Sequence, residues 1–191
     1  MGLLGSGLSE ADRDEEALSV KQATLATKRR VGAPEENILI AQSNLASTYS
    51  RLGRNEEALR LKRDVYSGLL KLAGEEYETT LLAANNYANS LIALKRYKEA
   101  KKVLRKMLPV ARRFLGDSNE TTLRLRWHYA RALSENTLDS LREAVTMLGE
   151  TVRTARRALG GTHPLTRDIE VELRDTRAAL RAREGTPSGG A

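Results

Sequence analysis

The fold is decided by residues 85–100, which read NNYANSLIALKRYKEA. This stretch predicts one turn with half a helix on each side of it. The pattern also occurs 42 residues earlier, in SNLA at 43–46 followed by Gly53 and Glu57-Ala58. It begins again 42 residues later, in WHYA at 127–130. The chain is therefore a tandem repeat of helix pairs.

Residues far from this stretch support the same register. Ala58, Ala100 and Ala144 are separated by 42 and 44 residues. The same spacings separate four glycines: Gly32, Gly74, Gly116 and Gly160. The two extra residues must lie between Leu133 and Ala144, where we expect a longer turn, because loops accept insertions at little cost.

The first helix of each repeat carries a large-small-x-x-large pattern. The three copies are Leu45-Ala46-x-x-Tyr49, Tyr87-Ala88-x-x-Leu91 and Tyr129-Ala130-x-x-Leu133. Each is followed by one of the spaced alanines, and the small residues allow two helices to approach closely. The pattern resembles the tetratricopeptide repeat (TPR) signature. The 42-residue period, NNYA at 85–88 and LGGTHPLT at 159–166 are similar to the kinesin-light-chain type of TPR.

The composition agrees with a helical array. The 191 residues are 40% hydrophobic but only 4% aromatic, which favours packing by alanine and leucine over a sandwich or barrel. The chain has no cysteine, which excludes disulfides and thiolate metal sites. The net charge of +7 suggests an acidic partner, although such an excess is also typical of a solvated surface.

We therefore predict an all-α, TPR-type α-solenoid. The resemblance implies a right-handed superhelix of antiparallel helix pairs, with about seven helices. We expect side-chain caps at Ser9, Asn55 and Ser140. The predicted segments are a flexible leader (1–8), a half repeat or cap (9–31), repeat 1 (32–73), repeat 2 (74–115), repeat 3 (116–159), a capping helix (160–184) and a disordered tail (185–191).

The resemblance also implies a groove, lined by the first helices, that holds a peptide of a partner protein. The helical periodicity selects the face opposite the packed alanines as the lining of that groove. The predicted peptide-binding residues are Asn44, Ser47, Arg51, Leu82, Asn85, Asn86, Asn89, Arg124, Trp127, His128 and Arg131.

Two features of this face allow alternative interpretations. Asparagines are poor helix formers, and a carboxamide can both donate to and accept from a peptide backbone, but they can also be ordinary solvated residues. Trp127 lies between Arg124 and Arg131, where it can form a pocket for an acidic segment. The alternative is a half-buried tryptophan packed against the next helix.

The principal hypothesis is an adaptor or scaffold that binds an acidic peptide. An alternative is a structural or regulatory repeat segment of a larger multidomain protein. A helical-repeat nucleic-acid binder is a weaker alternative, since its candidate arginines fall on second helices: Arg112, Arg113, Arg153, Arg156 and Arg157. No catalytic motif, phosphate loop or metal-ligand cluster occurs, so we expect neither an enzyme nor a cofactor nor a small-molecule substrate.

Two features of the sequence bear on membrane association: the length of its apolar runs and its amino terminus. No apolar run approaches the ~18 residues that a membrane-spanning helix requires, and we expect a cytoplasmic protein. Gly2 and Ser6 match the N-myristoylation pattern, which is short and common. A single acyl chain would give only marginal membrane binding.

Overall fold

The structure, a computed structural model, describes residues 2–133 and 137–184, with side chains described from Arg13 onward within those ranges. The predicted tail at 185–191 lies outside the described residues. Eight helices and no strand occur within the described ranges. They are α1 (Gly2–Arg30), α2 (Glu35–Arg51), α3 (Asn55–Ala73), α4 (Glu78–Ala93), α5 (Tyr97–Phe114), α6 (Glu120–Leu133), α7 (Leu138–Leu159) and α8 (Pro164–Glu184).

The all-α prediction is confirmed, and the number of helices is one more than the sequence predicted. Three repeats supply six helices and the capping helix a seventh, and the N-terminal half repeat adds α1 as the eighth. The helices form two compact units, Met1–Leu94 and Lys95–Ala191.

In the first unit, α1 to α4 pack in chain order as antiparallel neighbours. The direction follows from contacts between opposite ends of consecutive helices. Asp14 near the beginning of α1 pairs with Arg51 at the end of α2. A core cluster of buried residues joins the first three helices: Leu18, Leu25, Ala41, Leu45, Tyr49 and Ala58.

The second unit, α5 to α8, has the same arrangement. Glu184 at the end of α8 pairs with Arg142 near the beginning of α7, and Glu170 pairs with Arg156, so these two helices are antiparallel. Its core contains side chains of every helix that are no more than 1% exposed, among them Leu104, Leu123, Leu148 and Ile169.

The spaced alanines occupy the positions of close helix approach. Ala46, Ala88 and Ala130 of the first helices are each 0% exposed, and Ala58, Ala100 and Ala144 of the second helices are at most 1% exposed. Three of the four spaced glycines, Gly74, Gly116 and Gly160, also have nearly the same φ angle, at 85°, 85° and 88°. Both observations support the register read from the sequence.

The helix starts differ from the predicted caps. Ser9 lies inside α1, which already begins at Gly2 and so includes most of the predicted leader. Asn55 is the first residue of α3, and Arg54 takes the N-cap position without a side-chain cap. At α7 the cap is Thr137, because Thr137 and Ser140 exchange hydrogen bonds with each other's backbone N–H in a reciprocal capping box.

Candidate functional site

The predicted binding face of α2 and α4 is largely exposed. Asn44, Ser47 and Arg51 on α2, and Leu82, Asn86 and Asn89 on α4, are all exposed side chains. Helix α3 packs against both α2 and α4. Its side chains therefore form the base of a groove between them.

Two adjoining pockets open in this groove. The larger, of about 200 Å³, is mainly apolar and includes Ile40, Leu82 and Leu69. The smaller has a volume of about 120 Å³ and is lined by Ser43, Ser47, Lys62, Val65, Ala83 and Asn86. Ser43, Val65, Ala83 and Asn86 belong to both. The residues of the two pockets, with the exposed Asn44 and Asn89 beside them, are the α2–α4 groove.

A lysine that is not among the predicted binding residues lies at the base of the groove. Lys62 of α3 is half-buried, and its Nζ donates hydrogen bonds to Ser50 Oγ at 2.9 Å and Ser90 Oγ at 2.8 Å. Burial lowers the pKa of Lys62. The repeat register could have identified this lysine, because it aligns Lys62 with Leu104 and Leu148, which are apolar.

Arg51 has a partner within the protein. Its guanidinium contacts both carboxylate oxygens of Asp14, with the shortest nitrogen–oxygen distance at 2.7 Å. The hydrogen bond from Arg51 also lowers the pKa of the Asp14 carboxyl. Arg51 therefore joins α2 to α1 and is not an uncommitted cation for a ligand.

Asn85 does not belong to the exposed face. Its side chain is only 3% exposed, whereas Asn86, the next residue, is exposed. One residue is a rotation of about 100° around a helix, which is enough to move a side chain from the solvent to the packed side. The structure therefore places Asn85 on the packed side of α4, away from the exposed face that carries Asn86.

In the second unit, the predicted cluster around Trp127 is packed within the protein. His128 is 4% exposed, and its ring stacks on that of Trp127 with 5.0 Å between centroids. Burial, followed by the charges of Arg131 and Arg124, lowers the pKa of His128 to about 3. His128 is therefore a neutral core residue, and its predicted place on the binding face is wrong.

Trp127 matches the alternative interpretation of a half-buried side chain. Its Nε1 is buried and has no hydrogen-bond partner among the described residues. The guanidinium of Arg131 lies 5.5 Å from the Trp127 ring centroid. Arg131 also pairs with Glu172 of α8 at 3.1 Å, and Arg124 pairs with Glu120 at 2.6 Å. These arginines already have acidic partners.

The arginines of the second helices are also partly neutralised. Arg112 pairs with Asp117 at 2.7 Å, and Arg156 pairs with Glu170 at 2.6 Å. Among the side chains that the structure describes, no group of three or more His, Asp or Glu residues is placed to hold a metal ion. None of the helices described is long and apolar enough to cross a membrane.

Comparisons with known proteins agree with this geometry. The family model of the tetratricopeptide repeat matches residues 38–76, 80–120 and 130–165. No curated protein sequence gives a significant match.

Solved structures share the fold. A crystal structure of the Podosopora anserina putative kinesin light chain nearly identical TPR-like repeats is 22% identical, covers 95% of this chain and 85% of the other, and has a TM-score of 0.76. A second structure of those repeats is 20% identical, with coverages of 96% and 94% and a TM-score of 0.68. The BtubC (BKLC) protein of P. vanneervenii is 15% identical, with coverages of 96% and 79% and a TM-score of 0.69.

Proposed function

The chain belongs to the tetratricopeptide repeat family, and we propose that it is an interaction module that binds an extended, acidic peptide of a partner protein in the α2–α4 groove. The observation that carries the proposal is the pair of adjoining pockets, one apolar and one polar, between exposed side chains of α2 and α4. A peptide can place an apolar side chain in the first pocket and polar groups over the second.

The exposed apolar residues explain how a peptide would gain affinity. Ile40 and Leu82 are 53% and 42% exposed, and covering them removes apolar surface from water. Asn44, Asn86 and Asn89 stand beside this surface with carboxamides that can hold peptide N–H and C=O groups. The net charge of +7 favours an acidic partner through faster encounter.

The second-unit residues contribute less to this proposal. Arg124 and Arg131 are half-buried and paired with glutamates, and His128 is buried. The peptide site is accordingly assigned to the first unit. Adaptor activity and a cytoplasmic location stay predictions.

The experiment uses the full chain and a displayed library of short random peptides. Selected peptides should bind Ser47→Trp much more weakly, because the indole fills the polar pocket. Ser67→Trp places the same ring on an exposed position of α3 outside the pockets and should bind normally.

A finer comparison tests the carboxamides. Asn86→Ala should weaken binding by about 1–3 kcal/mol, because peptide groups lose their partner, with little change in salt dependence. Asn55→Ala, an exposed asparagine at the start of α3, is the matched control. If both control variants weaken binding as much as the groove variants, the site lies elsewhere and the proposal fails.

A further inference from the structure

Lys62 has the position and the surroundings of a ligand-binding cation. It belongs to the wall of the polar pocket of about 120 Å³, together with Ser47 and Asn86. Its Nζ is held from two sides, by Ser50 at the end of α2 and by Ser90 of α4. The ammonium group is therefore fixed in place at the base of the groove.

The charge of Lys62 has no counter-ion in the described part of the chain. An ammonium group has three N–H donors, and the two serines accept two of them. Burial alone accounts for its lowered pKa, with no contribution from a neighbouring carboxylate. A half-buried charge without a counter-ion is energetically unfavourable, and the ammonium group of Lys62 is therefore a candidate functional group.

The second and third repeats pack without a lysine at this position. The equivalent residues Leu104 and Leu148 are both 0% exposed. The two serines change in the same way, since the repeat register aligns Ser50 with Ile92 and Ser90 with Ala132. The positions equivalent to the lysine and its two hydroxyl partners are thus all apolar: Leu104, Ile92 and Ala132.

We propose that Lys62 binds a side-chain carboxylate of the peptide that occupies the α2–α4 groove, and that it thereby selects Asp or Glu at one position of that peptide. This inference rests on the proposed function. A single ammonium in a small pocket matches one carboxylate. The apolar pocket shares four residues with the polar one, so the peptide continues beyond Lys62 and the carboxylate belongs to an internal residue.

The test compares peptides selected from the random library by the wild-type chain and by Lys62→Leu. Lys62→Leu introduces the residue of the other two repeats and is expected to fold. The wild type should select an acidic residue at a fixed distance from an apolar one, and Lys62→Leu should not. Replacing that acid by its amide in a selected peptide should weaken binding to the wild type at least about tenfold.

The same acid-to-amide change should have no effect on Lys62→Leu or on the unbranched neutral variant Lys62→Met. Lys71→Met, at an exposed lysine of the same helix, should behave as wild type. A full acid-to-amide effect in both Lys62 variants would overturn the inference and leave the groove proposal standing. The inference would also be overturned, with the groove proposal left standing, if amidation of the peptide C-terminus weakened binding to the wild type but not to the Lys62 variants. Peptides that Ser47→Trp fails to block would overturn the groove proposal and the inference together.

Discussion

Lys95 takes, in the turn after α4, the left-handed backbone conformation that Gly53 takes in the turn after α2, with φ angles of 59° and 71°. The two residues are equivalent, since 42 residues separate them. A side chain is unfavourable in this conformation by roughly 1–2 kcal/mol, and glycine avoids that cost. The second repeat thus carries local strain that the first does not.

We expect Lys95→Gly to raise the free energy of unfolding by about 0.5–1 kcal/mol, because relief of strain exceeds the added chain entropy of glycine. Gly53→Ala should lower it by about 1 kcal/mol. Urea unfolding midpoints measure both. Equal midpoints for Lys95→Gly and the wild type would show that Lys95 is not strained.

The close approach of helices predicts a contrast between two adjacent residues. Ala46 is 0% exposed, whereas Ser47 is exposed. Ala46→Leu should destabilise the chain by about 1–3 kcal/mol through overpacking, and Ser47→Leu should cost little. Thermal unfolding followed by circular dichroism gives the comparison. Similar losses for the two variants would contradict the assigned helix faces.

The buried His128 predicts a dependence of stability on acid. Its pKa is about 3 when folded and near 6.5 when unfolded, so the unfolded chain binds more protons between these values. The free energy of unfolding should therefore carry no penalty from His128 above pH 6.5. As the pH is lowered from 6.5 towards 3, it should fall by about 1.4 kcal/mol per pH unit.

His128→Asn is the matched variant, because asparagine occupies the equivalent positions 44 and 86. It should remove the slope above about pH 5, where ordinary carboxyl groups remain ionised. The measurement is the free energy of unfolding in urea against pH. Parallel curves for the wild type and His128→Asn would exclude His128 as the cause.

The half-buried Lys62 predicts a dependence of stability on alkaline pH. Its pKa is below the usual 10.5 when folded, so the unfolded chain retains the proton longer as the pH rises. The stability of the wild type relative to Lys62→Leu should therefore increase as the pH rises towards the unfolded pKa of 10.5. Urea titrations of both proteins provide the difference, and a constant difference would show that Lys62 ionises normally.

The sequence predicted the repeats well because helix pairs leave a strong periodic signal. Large and small residues occupy positions that recur every 42 or 44 residues, and the equivalent alanines are buried in each repeat. Helix starts were less predictable, since several residues near one boundary can serve as caps. Thr137 forms the cap of α7 that the sequence assigned to Ser140.

The candidate site was only partly predictable. Asn86 and His128 are equivalent by register, yet one is exposed and the other buried. At the preceding position Trp127 replaces Asn85, and the large ring of Trp127 stacks on His128. Lys62 was missed because a single lysine in a helix ordinarily lies in solvent, and its environment depends on serines that are distant in sequence.

The set of Lys62, Ser50 and Ser90 has a consequence for how a duplicated repeat could acquire a new specificity. Its members lie on three helices, and the serines belong to different repeats. A lysine introduced alone at Leu104 would align with Ile92 and Ala132, which offer no hydroxyl group. Duplicating one repeat would therefore not reproduce both serine hydroxyls that hold the ammonium group. The unit that must be duplicated to keep the lysine site is the junction between two repeats.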